Sequence, residues 1–270
     1  MKRTLTGGKL YLLDMDGTLY IDDTLFDGAA EFLQYVRAAG GNYMYLTNNS
    51  CLGADSYVEK LARLGIPAVH EDFLNAVDVT IWRLRQDGYQ KKKIYAMGTA
   101  SFRRQLEAAG LWVTDRLEDN IDALVVAFDR ELTFRKVEDA CILLNRGVDY
   151  YATSPDLRCP TGYGYMPDCG SIWQMLENAT GRKPIITGKP EPAMALLAME
   201  KLGYTKENTF IVGDRLYTDI ACGVNAGIGS ILVLTGEATQ ADAAVSPTPP
   251  DFIFEDIRAL LETVRRNDGC

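Results

Sequence analysis

Asp14-Met15-Asp16-Gly17-Thr18 sets two carboxylates two residues apart at the end of an apolar run, Lys9-Leu10-Tyr11-Leu12-Leu13. In an extended segment, side chains at i and i+2 point to the same side. Asp14 and Asp16 should therefore converge, while Met15 turns into packing. Gly17 lets the backbone turn and approach a ligand closely. Hard oxygen ligands suit Mg²⁺, and open α/β sheets bind ligands beyond the carboxyl ends of their strands. The pair points to a metal-assisted phosphate site. An acidic turn is the plainer alternative, since Asp-Gly is a common turn dipeptide.

Three further stretches weigh against the plain turn. Thr47-Asn48-Asn49-Ser50 follows the apolar run Tyr43-Met44-Tyr45-Leu46, and its hydroxyl and amide groups can donate to phosphate oxygens. By itself it reads as well as a helix cap or Asx-type turn. Gly188-Lys189-Pro190 places a lysine between two residues that restrict the chain, holding a compact point charge suited to phosphate. Gly213-Asp214-Arg215-Leu216-Tyr217-Thr218-Asp219 follows the strand Thr209-Phe210-Ile211-Val212. It puts Asp214 at a strand tip and Asp219 in the first turn of a helix. Capping could account for one of these carboxylates, but not for the ordered set.

In this order, the four stretches resemble the motifs of the haloacid dehalogenase superfamily of phosphatases. The wording of Tyr45-Leu46-Thr47-Asn48-Asn49-Ser50, Gly181-Arg182-Lys183-Pro184, Gly188-Lys189-Pro190 and Gly213-Asp214-Arg215 through Asp219 is similar to the para-nitrophenylphosphatase and phosphoglycolate-phosphatase subgroup, which carries a type IIA (C2) α/β cap. The resemblance covers nearly the whole chain. It implies a Mg²⁺-dependent phosphatase with Asp14 as nucleophile and Asp16 as general acid and base. Thr47, Asn48 and Lys189 would hold the phosphoryl oxygens. The Asp14 carboxylate, the Asp16 backbone carbonyl and Asp214 would hold the metal, and Asp219 would orient Lys189 or metal-bound water. Loops of the cap would meet the leaving group, with Asp156, Arg158, Asp168 and Ser171 as candidate contacts. The substrate would be a small phosphorylated metabolite, sugar and polyol phosphates first. Nucleoside monophosphates, phosphoglycolate and pyridoxal phosphate stay open. A homodimer through the cap is one assembly that the resemblance allows. Rival functions are a phosphomutase or phosphotransferase, a dehalogenase, and a phosphoacceptor signalling or binding module. Asp16 and Asp214 argue against the dehalogenase, whose chemistry needs neither metal nor second acid.

The elements that must position these residues alternate, strand then helix, as in an α/β fold. Apolar runs at Lys9–Met15, Asn42–Leu46, Thr209–Val212 and Ser230–Leu234 read as strands of a doubly wound, Rossmann-like parallel sheet. Helical patterns at 29–39, 54–64 and 192–202 read as their crossovers. From about Tyr89 the rhythm restarts, with strands at 94–97, 123–128 and 150–153 and helices at 101–109, 134–145 and 171–179. Lys189 and Asp214 must return to the sheet that holds Asp14. Residues 1–80 and 184–270 are therefore expected to form the catalytic core, and 81–183 a smaller inserted α/β cap. The stretches 154–170 and 239–250 read as loops. The glycines at 223, 227 and 229 follow a helix and precede a strand, the wrong order for a dinucleotide-binding turn.

Composition agrees. The chain has 270 residues, 47% of them hydrophobic, enough for a substantial core. Its formal charge of −9 argues against nucleic acid or an anionic membrane as a partner. An anionic substrate must then be drawn by a local lysine and a cation. The six cysteines show no Cys-x-x-Cys spacing and read as reduced thiols. Without a membrane-length apolar run or a signal-peptide pattern, a cytoplasmic location is expected. His70 is the one histidine, which leaves no basis for a histidine-based zinc site.

Overall fold

The strand Leu10–Leu13 lies inside a six-stranded sheet, and all four of its residues are buried. This is why the run is continuously apolar: a parallel strand covered on both faces has no side for polar groups. On one face Tyr11 packs between the rings of Phe32 and Phe210, at centroid distances of 5.0 and 5.8 Å. The computed structural model describes residues 3–161 and 163–269. Two compact units emerge: one of Met1–Thr47, Asp55–Leu74 and Lys189–Cys270, the other of Asn48–Ala54 and Asn75–Gly188.

The sheet order is Phe252–Phe254, Gly229–Val233, Thr209–Gly213, Leu10–Leu13, Asn42–Thr47, Phe73–Asn75. The first five strands run parallel. From Leu10–Leu13 the chain winds outward to Asn42–Thr47, then later resumes on the opposite side at Thr209–Gly213. The sheet is thus doubly wound, and its direction reverses between Leu10–Leu13 and Thr209–Gly213. Ligands in such sheets sit beyond the carboxyl ends of the strands at that reversal.

The last helix shows how local sequence produces the flanking layer. Asp256 accepts from the Ala259 backbone N–H at 2.8 Å, capping Ile257–Asp268, and Gly269 ends it with φ of 82°. Between these stops Ile257, Leu260, Leu261 and Val264 form a buried stripe with helical spacing.

The second unit holds a five-stranded parallel sheet in the order Ile185–Ile186, Asp149–Ala152, Ala123–Val126, Lys93–Met97, Trp112–Thr114. Alternate residues serve opposite faces. Ile94, Ala96, Ala123 and Val125 pack with Val77, Leu84 and Phe102, whereas Tyr95, Met97, Leu124 and Val126 pack with Leu143, Ile172 and Leu176. Among the described residues, no helix is long and apolar enough to cross a membrane.

Three stretches differ from the sequence expectation. Within the expected loop 154–170, Arg158–Thr161 pairs antiparallel with Gly164–Pro167. The prolines hid this hairpin, since Pro is excluded from central strands but not from a free-standing two-stranded ribbon. The expected loop 239–250 contains the helix Gln240–Val245, started by a reciprocal cap between Thr239 and Asp242. The expected helix from Thr218 begins as a wide π turn, Leu216–Ile220, before the α-helix Ala221–Ala226. Cys51, Cys141, Cys159, Cys169 and Cys222 are free thiols, as expected, while Cys270 lies outside the described residues.

Leu12 is fully buried in the central strand. Leu12→Ala should cost about 3 kcal/mol of stability, read by urea denaturation. A loss under about 1 kcal/mol would show that this strand is not the packed centre described.

Candidate active site

Lys189 organises the carboxyl end of the core sheet. Its ammonium donates to Asp14 Oδ1 and to Asp219 Oδ1, each at 2.6 Å, and to the backbone carbonyl of Leu46 at 3.2 Å. Its side chain is 2% exposed, Asp219 1% and Asp14 15%. Burial would lower the lysine pKa, but Asp14 and Asp219 overcome it and hold the ammonium above its ordinary value. Lys189 is therefore a fixed positive charge.

The strand tips supply the rest. The Asp14 N–H donates to the Val212 carbonyl at 2.9 Å, extending the ladder so that Asp14 and Asp214 flank the reversal in the sheet. Carboxylate oxygens of Asp14, Asp214 and Asp219 lie within 4.8 Å of one another. Burial, against the pull of Lys189, pushes the Asp14 carboxyl well above its usual range, and Asp219 and Asp214 add to the rise. Asp214 is pushed up to about 7, by burial and then by Asp219.

Oxygen by oxygen, the three carboxylates differ. Asp219 uses Oδ1 for Lys189 and Oδ2 for the Arg215 N–H at 3.2 Å. Asp214 Oδ2 accepts from the Glu237 N–H at 2.7 Å, but its buried Oδ1 has no hydrogen-bond partner among the described residues. Such an orphan costs free energy unless something else satisfies it. Among the described residues, Asp14 Oδ2 has only a long contact from the Thr18 hydroxyl, at 3.4 Å. Hard, clustered oxygens of this kind suit a cation such as Mg²⁺, so the donor set fits a divalent metal.

Close backbone approach makes the cluster. Gly17 adopts φ of +86°, and a Cβ there would lie 2.7 Å from Asp214 Oδ2. A Cβ on Gly236 would lie 2.0 Å from the same oxygen. Only glycine leaves room at either position. The sequence drew attention to Gly17 but not to Gly236 or the Glu237 N–H. The available signal was a glycine turn just past the strand Gly229–Val233.

Asp16 stands apart from this cluster. Its side chain is 40% exposed, and its Oδ1 lies 3.3 Å from Lys60 Nζ. Thr47 is buried at the carboxyl end of Asn42–Thr47. Asn48 Nδ2 donates to Asp156 Oδ2 at 2.9 Å within the second unit, and both residues are buried. There a Cβ on Gly188 would meet the Thr153 carbonyl at 2.4 Å and Asn48 Oδ1 at 2.6 Å. Asp168 caps Cys169–Thr180, accepting from the Cys169 N–H at 2.5 Å, and the Ser171 hydroxyl donates to the Leu157 carbonyl at 2.5 Å. Arg158 is exposed on the hairpin, its guanidinium 4.4 Å from the Tyr165 ring centroid. The structure thus gathers Asp14, Lys189, Asp214 and Asp219, and leaves Asp168 and Ser171 engaged in local structure.

Residues 11–112 match the family profile of haloacid dehalogenase-like hydrolases, and residues 186–260 match a second hydrolase-like profile of the same superfamily. The acid sugar phosphatase of Staphylococcus aureus (strain MRSA252) is 31% identical over 258 residues, 96% of this chain and 98% of the relative. Among solved structures, a 4-nitrophenylphosphatase from Thermotoga maritima superposes with a TM-score of 0.88 at 41% identity, covering 95% of this chain and 97% of that one. A glycerol phosphate phosphatase from Mycobacterium tuberculosis, in complex with magnesium, superposes with a TM-score of 0.88 at 28% identity, covering 95% of this chain and 78% of that one. The chain belongs to the haloacid dehalogenase-like hydrolases, in the group that contains the 4-nitrophenylphosphatases. It is a phosphoric monoester hydrolase.

Removing the Lys189 charge would leave buried carboxylates facing one another. Lys189→Met should cost about 3–5 kcal/mol in metal-free buffer at pH 7. The sign with pH follows from the raised Asp14 and Asp214 values. A carboxyl whose folded pKa exceeds its unfolded one binds protons better when folded, so it destabilises progressively as pH rises through about 7. The deficit of Lys189→Met should therefore shrink on acidification from pH 7 to 5. A deficit that stays constant across that range, measured by denaturant titration, would refute the charge argument.

Proposed function

We propose that this chain is a Mg²⁺-dependent phosphatase that hydrolyses small phosphate monoesters through an aspartyl-phosphate on Asp14, with sugar or polyol phosphates first among the substrates. The observation that carries this is the Lys189 ammonium, 2.6 Å from the nucleophile and 2.6 Å from Asp219. It orients Asp14 and offers a fixed charge to a phosphoryl oxygen. An acid sugar phosphatase and a glycerol phosphate phosphatase among the relatives support the substrate class, and the magnesium of the latter supports the ion.

The phosphate dianion must meet an anionic nucleophile. Mg²⁺, held by the Asp14 carboxylate, the Asp16 carbonyl and Asp214, would neutralise that repulsion when bound. Asp14 attacks phosphorus, and the bond to the leaving oxygen breaks with its electron pair going to that oxygen. Asp16 gives the oxygen a proton. Asp16 then takes a proton from the water that attacks the aspartyl-phosphate, releasing phosphate and restoring Asp14. Thr47 and Asn48 hold phosphoryl oxygens with Lys189, and Asp156 orients the Asn48 amide. Asp219 has both oxygens engaged by Lys189 and Arg215, so it positions the lysine rather than binding metal. The second unit serves as the substrate-selecting cap. Arg158, exposed where Asp156 and Asp168 are buried, is its first candidate for contact with substrate.

Phosphate release from a panel of phosphorylated metabolites, with para-nitrophenyl phosphate as the generic substrate, should require Mg²⁺. Asp14→Asn should abolish turnover while keeping the fold, and retained activity in a purified sample would sink the covalent mechanism. Asp214→Asn should remove the Mg²⁺-induced rise in Tm. It should leave the metal-free protein at least as stable as wild type, because a repelling buried charge is gone. An undiminished Mg²⁺ shift in that variant would rule out Asp214 as a ligand.

A further inference from the structure

We infer that Lys60 is a positioning residue for Asp16: it holds the proton-transferring carboxylate against the leaving oxygen. This rests on the role of Asp16 proposed above. Lys60 projects from the last turn of the helix Ala54–Arg63. Its side chain is only 21% exposed, and its ammonium is 3.3 Å from Asp16 Oδ1 and 3.8 Å from the centroid of the Tyr20 ring. Of the hydrogen bonds and ion pairs described for the Asp16 carboxylate, this is the one to a side chain.

Lys60 can hold Asp16 because Lys60 is itself held. Tyr20 is fully buried, and its ring face attracts the ammonium. Tyr20 also belongs to the turn that carries Asp16. Its carbonyl accepts from the Gly17 N–H at 2.8 Å, and Asp16 and Tyr20 form a β-bridge. Asp16, Gly17, Tyr20 and Lys60 thus close a small ring of contacts, with the lysine stem reaching in from a separate element. Without Lys60, a carboxylate that is 40% exposed has no charged partner among the described residues to select one rotamer.

An ion pair this exposed contributes little to stability, so its consequence should appear in catalysis. A general acid acts only when its proton lies within hydrogen-bond reach of the leaving oxygen. Lys60 neither touches phosphorus nor transfers a proton. Its loss should slow the cleavage of esters whose leaving group needs the proton. Esters of an acidic phenol should be affected far less, since the phenolate leaves as an anion.

The test compares wild type, Lys60→Met and Lys60→Arg in kcat/KM for glycerol 3-phosphate and for para-nitrophenyl phosphate, with Mg²⁺ present. This parameter reports the steps through formation of the aspartyl-phosphate, so hydrolysis of that intermediate does not blur it. Lys60→Met should lose about tenfold on glycerol 3-phosphate, a fraction of the 10²–10⁴ that general acid catalysis supplies. Its loss on para-nitrophenyl phosphate should be at least about fivefold smaller, and Lys60→Arg should restore most of the difference. Equal losses on both substrates, or none on either, would overturn the assignment. If wild type releases phosphate from neither ester, the phosphatase proposal falls first. If wild type is active and the ratio of the two substrates does not move in Lys60→Met, only the role of Lys60 falls.

Discussion

An ammonium removed from water must be paired, and Lys189 is paired twice. Its contacts with Asp14, Asp219 and the Leu46 carbonyl tie together the ends of Leu10–Leu13, Asn42–Thr47 and the turn after Thr209–Gly213. Pairs of this kind contribute little net stability, because desolvation offsets the Coulomb attraction, but breaking one is costly. The arrangement therefore acts as a constraint more than as glue. Any backbone shift that separated these strand tips would strand a buried charge. Three clustered carboxylates still outnumber the one ammonium among them, and burial first, then that imbalance, raises Asp14 and Asp214. The site is poised to take up positive charge.

From that constraint the four aspartates acquire different work. Asp219 has each oxygen engaged, one by Lys189 and one by the Arg215 N–H, so its carboxylate is held in place. Asp214 is pinned through one oxygen and leaves the other orphaned. Asp14 is gripped on one side and open on the other. Asp16, two residues further on, faces solvent and Lys60. In the proposed mechanism, identical side chains thus separate into positioner, ligand, nucleophile and proton carrier by environment alone. The reversal of strand order makes this separation available, because it sets side by side the tips of two strands from which the chain winds in opposite directions, and with them Asp14 and Asp214.

Much of this was legible in the chain. Apolar runs ending in Asp14, Thr47 and Asp214 announced buried parallel strands with polar tips, and their alternation with helices announced a doubly wound α/β sheet, though not the order of its strands. Legibility ended where a contact joins residues distant in sequence without a local signature. The Glu237 N–H reaches Asp214 from a turn that reads as an ordinary surface connection. Asp168 and Ser171 carry polar groups suited to substrate, yet folding engages them first, in a helix cap and a loop tie. Asp156 is buried against Asn48, a pairing across 108 positions that composition cannot display. The pairing of Arg158–Thr161 with Gly164–Pro167 was obscured by its prolines, which favour loops in isolation yet are tolerated in a two-stranded ribbon.

The contrast between Lys189 and Lys60 shows how far burial decides the use of a residue type. Both ammonium groups meet a carboxylate of the same short motif. At Lys189, 2% exposed, water is excluded; the pairing is obligatory, and the geometry is set by the need to satisfy the charge. At Lys60, 21% exposed, water competes and salt screens; the ion pair alone is too weak to hold a rotamer. There the Tyr20 ring supplies what burial does not. An aromatic face attracts a cation without accepting its proton and without adding negative charge beside Asp16. A second carboxylate in that place would anchor the lysine as well, but it would also compete with Asp16 for the ammonium. With the tyrosine there, Asp16 is the one anion bonded to the ammonium among the described residues.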